Sequence, residues 1–243
     1  MCSIKKYFGL FTLYLFVSSA VSLASEHSST ALTFGLYQSD KATEMHRKFK
    51  PLIDYLSEEV SLRAGSPVDF NLKIYKSYQA ANGALVTGDV DFVRFGPASY
   101  ILAKSKQPDI QLLAMEEKKG KTRFKGLIVV PVKSSFKVLA DLKGRSFAFG
   151  DINSTIGRYL AQSELASVGV TASSLSKFAF LGRHDKVFKA VELGDYDAGS
   201  LKESTFNKMN INNTLKVLHS FDNVTKPWIA RANLSPQLVT ALS

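Results

Sequence analysis

Strand-like and helix-like patterns alternate along almost the whole sequence, and this alternation constrains the fold more than any other feature. Apolar and polar residues alternate over residues 68–75, as in a strand with one buried face. From Met45 to Val60 the apolar residues recur every three or four positions, as in an amphipathic helix. Repeated alternation of this kind predicts an α/β architecture with mainly parallel sheets and helices on both faces.

The number of predicted strands indicates two sheets, because a single small sheet does not accommodate so many strands. Residues 124–132 form a nearly continuous apolar run, which is typical of a strand buried on both faces. The predicted strands cover residues 32–36, 68–75, 91–95, 110–115, 124–132, 147–149, 177–181, 196–201 and 215–220, with an extended segment at 227–230. Between them we expect helices, including a short one at 136–143 and a last one that begins at Ser235. Two α/β lobes are the natural arrangement.

Residues 1–24 have the composition of a secretory signal peptide. Lys5 and Lys6 precede an apolar run over residues 7–21, and Ser22-Leu-Ala24 offers a cleavage site. A membrane anchor is the competing interpretation, but the run is shorter than the ~20 apolar residues that a span requires. We therefore expect an exported, periplasmic protein.

Composition excludes several classes of function. The only cysteine, Cys2, lies in the predicted leader, so the mature chain has no disulfide, no thiolate metal site and no thiol nucleophile. No metal-spaced histidine pair and no Gly-x-Ser-x-Gly motif occurs, so we expect neither an enzyme nor a cofactor. The net charge of +10 favours anionic ligands. The charges are scattered along the chain, which argues against nucleic-acid binding.

Polar residues at three predicted helix starts are the candidate binding residues. Ser77-Tyr78, Ser154-Thr155 and His184-Asp185 each follow a predicted strand, and ligands in α/β sheets bind beyond the carboxyl ends of strands. Free N–H groups and the helix dipole favour an anion at such a start. Gly157 would allow a ligand to approach the backbone closely. Tyr37, after the first strand, is a further candidate. Each candidate also has a structural alternative. Ser154 and Thr155 could be plain helix caps, His184 could have only a structural role, and Tyr78 could lie at the edge of the core.

Several motifs, taken in their order and spacing, resemble one known family. They are Pro51-Leu-Ile-Asp-Tyr-Leu56, Gly88-Asp-Val-Asp-Phe92, Phe95-Gly-Pro-Ala-Ser-Tyr100, Leu139-Ala-Asp-Leu-Lys-Gly144, Phe147-Ala-Phe-Gly-Asp151, Asn153-Ser-Thr155, His184-Asp185, Ala190-Val191 and Asp197-Ala198. The sequence is similar to the phosphonate/phosphite/phosphate-binding proteins of bacterial ABC importers, a branch of the type II periplasmic binding proteins. The resemblance covers residues from about Phe34 to Arg231.

The resemblance implies a set of ligand-binding residues. The family holds a phosphoryl group with an Asn-Ser-Thr-Ser-Gly loop, two tyrosines and a histidine. Ser154 and Thr155 match the loop, Tyr78 matches one tyrosine and His184 the histidine. Two hydroxyl groups of the family pattern are missing, because its second serine is Ile156 here and its other tyrosine is Phe124.

Two further positions concern the rest of the ligand. An acidic residue that meets the far side of aminophosphonates in the family corresponds to Ser204, and a second acid corresponds to Lys226. An ammonium group would meet Lys226, so the resemblance implies a more anionic ligand than an aminophosphonate. A solvated turn lysine is the alternative for Lys226.

The resemblance also implies an organisation. We expect the α/β, two-lobed type II periplasmic-binding-protein fold with mainly parallel sheets and a hinge, with the C-terminal part of lobe 1 shortened. Lobe 1 would comprise residues 31–126, lobe 2 residues 127–218, and residues 219–243 would return to lobe 1.

The function implied is that of the periplasmic solute-binding component of a phosphate-, phosphite- or phosphonate-type ABC transporter. A small oxyanion would bind between the lobes of a monomer and pass to an inner-membrane permease. Because hydroxyl groups are missing at Ile156 and Phe124, two alternatives stay open. One is a periplasmic ligand-sensing partner of a membrane receptor or kinase, and the other is a divergent binder of another small ligand.

Overall fold

The computed structural model describes residues 29–117 and 120–243. The predicted signal peptide at residues 1–24 lies outside the described residues. Within the described part of the chain, no helix has the length and apolar character needed to cross a membrane.

Ten strands and seven α-helices make up the described chain. The strands are β1 (Thr30–Tyr37), β2 (Val68–Tyr75), β3 (Phe92–Arg94), β4 (Gln111–Met115), β5 (Arg123–Pro131), β6 (Ser146–Phe149), β7 (Lys177–Phe180), β8 (Ala198–Lys202), β9 (Leu215–Val224) and β10 (Pro227–Ala230). The helices are α1 (Ala42–Ala64), α2 (Tyr78–Thr87), α3 (Pro97–Lys106), α4 (Ala161–Ser167), α5 (His184–Glu192), α6 (Glu203–Met209) and α7 (Pro236–Leu242). A π-helical turn (Thr155–Leu160) precedes α4, and single 3₁₀ turns occur at Leu139–Leu142 and Ala172–Ser174.

The strands form two five-stranded sheets with the same topology. The first sheet has the order β2-β1-β3-β10-β4 and the second the order β7-β6-β8-β5-β9. In each sheet four strands run in one direction, and only β10 or β5 is antiparallel to its neighbours. This confirms the predicted two-lobed α/β fold with mainly parallel sheets. We call the first sheet with α1, α2, α3 and α7 the first lobe, and the second sheet with α4, α5 and α6 the second lobe.

The chain passes between the sheets twice, once between the end of β4 and the start of β5 and once at residues 225–226. The two crossing segments lie side by side, since the Glu116 N–H donates to the Lys226 carbonyl (3.0 Å) and the Thr225 N–H to the Thr122 carbonyl (2.9 Å). Each antiparallel strand is the first strand after a crossing. The proposed lobe boundaries at 126/127 and 218/219 fall inside β5 and β9, and as a division into domains they stay predictions.

The packing of β5 explains why its sequence is continuously apolar. Ile128 and Val130 pack into one hydrophobic core of the second lobe, whereas Leu127 and Val129 pack into another on the opposite face of the sheet. A strand with helices on both faces needs apolar residues at consecutive positions. In the first lobe the corresponding core is aromatic, with the Phe34 and Trp228 rings stacked at a centroid distance of 4.8 Å.

The prediction missed α6. Its residues, Glu203–Met209, include few apolar side chains at helical spacing, and the helix follows β8 with no turn residue between them. The predicted helix at 136–143 is a single 3₁₀ turn at Leu139–Leu142. The strand predicted at 215–220 continues to Val224, because pairing with β5 extends over the polar residues that follow.

The connection from β6 to α4 depends on two glycines. The Gly150 N–H donates to the Gly157 carbonyl at 2.8 Å. A Cβ atom added at Gly157 would lie 2.8 Å from Gly150 Cα and 3.0 Å from Ser154 Oγ. Gly157 was expected to admit a ligand to the backbone, but the space in front of its Cα is filled by Gly150. Its role is therefore to let the β6 end and the π-helical turn pack closely.

Replacing Gly157 should therefore destabilise the second lobe. Gly157→Ala forces two backbone segments apart, and overpacking of this kind costs about 1–3 kcal/mol. Gly83→Ala is the matched control, since Gly83 is exposed in α2 and a Cβ there meets nothing within 4 Å. In a helix interior that change stabilises by up to about 1 kcal/mol. Urea unfolding measures both, and equal midpoints for the two variants would contradict the packing argument.

Candidate functional site

A narrow cleft lies between the two lobes, next to the second crossing segment. Of the eight residues that the family resemblance indicated, seven line it: Tyr78, Phe124, Ser154, Thr155, Ile156, His184 and Lys226. The remaining lining residues are Tyr37, Ser39, Gly96, Lys202 and Asn223. Residues from both sheets and from five helix starts therefore face one small space.

Ser204 lies apart from this lining. It is exposed on α6, and Lys202, two residues earlier at the end of β8, faces the cleft. The difference arises because α6 begins immediately after β8 and turns Ser204 toward solvent. The family match at Ser204 thus pointed to the correct end of β8, but the side chain that lines the cleft there is Lys202.

Ser154 and Thr155 have separate roles, although both were considered as helix caps. The Ser154 hydroxyl accepts the Gly157 N–H at 2.9 Å, which makes it the cap of the π-helical turn. The Thr155 hydroxyl instead accepts the Ala98 N–H at 2.9 Å, from the first turn of α3 in the other lobe. Each hydroxyl keeps its own proton available as a donor. Thr155 therefore links two helix starts across the cleft.

Two stacked tyrosines form the wall of the first lobe. The rings of Tyr37 and Tyr78 lie 3.5 Å apart between centroids, with an interplanar angle of 17°. Burial raises the pKa of both phenols well above the usual value. The two hydroxyl groups therefore keep their protons at neutral pH and are available as hydrogen-bond donors.

His184 begins α5 and joins the lobes through its backbone. Its N–H donates to the Ser39 carbonyl of the first lobe at 3.2 Å. The ring is buried, and among the described residues Nδ1 has no hydrogen-bond partner. Burial, with the nearby charge of Lys202, lowers the pKa of His184 to about 3. A neutral imidazole with an unpaired buried nitrogen is suited to hydrogen-bonding a ligand.

Lys226 reaches the cleft from the second crossing segment. Its Nζ donates to the Tyr37 hydroxyl at 3.0 Å and lies 4.9 Å from the centroid of that ring. Burial, followed by the charges of Arg94 and Lys202, lowers the pKa of Lys226 well below its usual value. It is not the solvated turn lysine that the sequence left open, because the amine is enclosed by aromatic and cationic neighbours.

Further contacts hold the lobes together around the cleft. Lys202 of the second lobe pairs with Asp40 of the first, and Asp40 also accepts the Thr205 hydroxyl at 3.3 Å. Nearer the surface, Lys208 pairs with Glu44 at 2.6 Å. With the Thr155 and His184 contacts, these bonds describe a closed arrangement of the two lobes.

Sequence reasoning missed several lining residues for identifiable reasons. Ser39 and Gly96 follow β1 and β3, so the rule that ligands bind at the carboxyl ends of parallel strands could have found them. Asn223 lies on β9, beside the hinge, where no such rule applies. Among the described residues, no group of three histidine, cysteine or acidic side chains is arranged to hold a metal ion.

Comparison with known proteins places this geometry in a family. A family model described as "ABC transporter, phosphonate, periplasmic substrate-binding protein" matches residues 34–243. The chain is 30% identical over 172 residues to the probable ABC transporter phosphite-binding protein PhnD1 of Prochlorococcus marinus, covering 65% of this chain and 57% of that protein. It is 23% identical over 200 residues to the phosphate-import protein PhnD of Mycolicibacterium smegmatis, covering 78% and 60%.

The fold agrees with a solved structure from the same group. The structure of PhnD1 from Prochlorococcus marinus in complex with methylphosphonate has a TM-score of 0.72 and 26% identity, covering 88% of this chain and 82% of that chain. In sequence alignment this chain spans somewhat more than half the length of the two curated relatives.

The buried His184 ring predicts a pH dependence of stability. Between the usual histidine pKa of about 6.5 and the folded value of about 3, the unfolded chain binds a proton that the folded chain does not. Stability therefore falls as the pH falls through that window. Relative to His184→Gln, the wild type should lose up to about 1.4 kcal/mol more per pH unit.

Urea unfolding without ligand, between about pH 7 and pH 4.5, measures this difference. His46→Gln is the matched control, because it removes an exposed histidine of α1 outside the cleft. Parallel pH profiles for the wild type and His184→Gln would contradict the burial of the ring.

Proposed function

We propose that this chain, which belongs to the phosphonate-binding family of periplasmic substrate-binding proteins of ABC transporters, binds a small phosphorus oxyanion between its lobes. The ligand is phosphite, phosphate or a small phosphonate. The names of the similar proteins support this range, since they specify phosphite binding, phosphate import and a methylphosphonate complex.

One observation carries the proposal. Hydrogen-bond donors from two opposed lobes line a single cleft. They are Ser154 and Thr155 on one side, Tyr37 and Tyr78 on the other, and Lys226 from the second crossing segment. An oxyanion has acceptors on several sides, and a cleft with donors on opposite walls satisfies them together. Each hydrogen bond to a charged group contributes on the order of 1.5–3 kcal/mol.

Phe124 and Ile156 limit what else the cleft can hold. They replace two hydroxyl groups of the family pattern with apolar surface, so the ligand has fewer donors on that side. The cleft is narrow, which favours an inorganic oxyanion or a phosphonate with a short substituent over a bulky ligand. A ligand bearing an ammonium group is disfavoured, because its charge would face Lys226 and Lys202.

The transport role follows from the family and the hinge. We propose that the two lobes separate about the two crossing segments, admit the ligand and close over it. The closed monomer then delivers the ligand to an inner-membrane permease. Periplasmic location and a role in substrate binding rather than catalysis are properties of the family; export through residues 1–24 as a signal peptide is part of the proposal.

Calorimetry on residues 25–243 tests the proposal with phosphite, phosphate, methylphosphonate, 2-aminoethylphosphonate and sulfate. We expect binding of at least one of the first three ligands and a weaker or absent signal with 2-aminoethylphosphonate. A folded protein that binds none of the first three would contradict the proposed function. Tightest binding to 2-aminoethylphosphonate would contradict the proposed role of the cleft cations.

Substitutions at Thr155 and Ser154 should separate ligand binding from helix capping. Thr155→Ala removes a donor to the ligand and a link between the lobes, so affinity should fall roughly ten- to a hundredfold, at about 1.4 kcal/mol per factor of ten. Because this link is a single, partly buried hydrogen bond between the lobes, the melting temperature of Thr155→Ala without ligand should fall less than that of Ser154→Ala. Ser154→Ala removes the cap and should lower the ligand-free stability by about 1 kcal/mol.

Thr155→Ser is the control that keeps the hydroxyl group, and it should retain most of the affinity. The ligand-induced shift in melting temperature reports binding, and the ligand-free melting temperature reports the cap. Wild-type affinity in Thr155→Ala would show that the ligand does not use this hydroxyl.

A further inference from the structure

Arg94, Lys202 and Lys226 bring three basic side chains close together at the cleft, and among the described residues two of them are paired with carboxylates and one is an exception. Arg94 binds Glu116 through two nitrogens, with Nη2 2.7 Å from Oε2, and Trp228 donates to the same carboxylate at 3.1 Å. Lys202 pairs with Asp40. The cleft therefore contains cations whose charge is already compensated inside the protein.

Lys226 is that exception. Among the described residues it forms no salt bridge, and its Nζ donates to the neutral Tyr37 hydroxyl at 3.0 Å. Its backbone carbonyl accepts the Glu116 N–H at 3.0 Å, which fixes the residue between β9 and β10. An enclosed amine without a carboxylate partner lacks a counter-charge, and a bound anion would supply one.

We propose that Lys226 is a specificity-determining residue of the cleft, which selects a doubly charged oxyanion and takes up one proton as that ligand binds. The inference rests on the proposed function and adds the charge state of the ligand to it. The proton leaves the solvent and becomes the third N–H of the Lys226 ammonium. No bond of the ligand is made or broken.

The groups that face Lys226 support this coupling. Burial disfavours a charge on its amine, and Arg94 of β3 and Lys202 of β8 disfavour it further, so the pKa of Lys226 lies well below the usual value. Glu116 and Asp40 act in the opposite direction but each is bonded to another cation. His184 of α5 is held neutral, and Tyr37 and Tyr78 keep their protons.

A dianionic ligand shifts the equilibrium between the neutral amine and the ammonium of Lys226 further toward the ammonium than a monoanionic ligand does. The Coulomb attraction between a ligand and the protonated amine scales with the ligand charge and is large in an enclosed site. With two negative charges in the cleft, the charged ammonium is favoured over the neutral amine. A singly charged ligand of the same shape offers about half of that attraction and should bind more weakly.

The count of protons taken up on binding tests the proposal. Calorimetric titration of the wild type with methylphosphonate is performed in two buffers with different heats of ionisation, at about pH 8.5, where the ligand is mainly a dianion. We expect a net uptake of up to one proton per ligand, since the ligand-free pKa of Lys226 lies well below its usual value. Binding with no proton uptake would overturn the proposal while leaving the proposed function intact. This measurement uses the wild type alone.

Variants identify the residue that takes the proton. Lys226→Met should reduce proton uptake to near zero and weaken binding roughly ten- to a hundredfold. His184→Gln should still take up the proton when it binds. Lys50→Met, which removes an exposed charge on α1, should resemble the wild type in both respects. Undiminished uptake in Lys226→Met, or loss of uptake in His184→Gln alone, would overturn the assignment to Lys226.

Discussion

The side-by-side pairing of the two crossing segments is the constraint on which the rest of this structure depends. The hydrogen bonds from Glu116 to Lys226 and from Thr225 to Thr122 hold both chain crossings at one place. The chain connects the two sheets at that place, so we propose that the sheets rotate about it, and the space between them is the cleft. Lys226 belongs to the crossing and to the lining of the cleft, so a ligand that contacts it also contacts the hinge.

The shared topology of the sheets explains why the candidate residues meet. In each sheet four strands point the same way, so the helix starts that follow them lie at one edge. The two lobes bring these edges together, and Thr155 of one lobe accepts the Ala98 N–H of the other. The polar groups of the cleft thus bond to each other when the lobes are in contact, and a ligand of the proposed kind would add acceptors between them.

The sequence was informative wherever a local pattern determines the structure. Strict alternation in β2 and helical spacing in α1 predicted both elements, and a polar residue after a strand indicated Ser154 and His184. Contacts between the lobes leave no local pattern. The Thr155–Ala98 bond and the inward position of Lys202 depend on how two sheets meet, and the missed α6 is too polar to show helical periodicity.

The most direct test of this account is a crystal structure of the mature protein with methylphosphonate. The account predicts phosphorus density between the π-helical turn at Thr155–Leu160 and Lys226, with ligand oxygens within hydrogen-bonding distance of the Thr155 hydroxyl and Lys226 Nζ. Ligand bound outside the cleft between the lobes, or a closed cleft with Lys226 still bonded only to Tyr37 at saturating ligand, would contradict it.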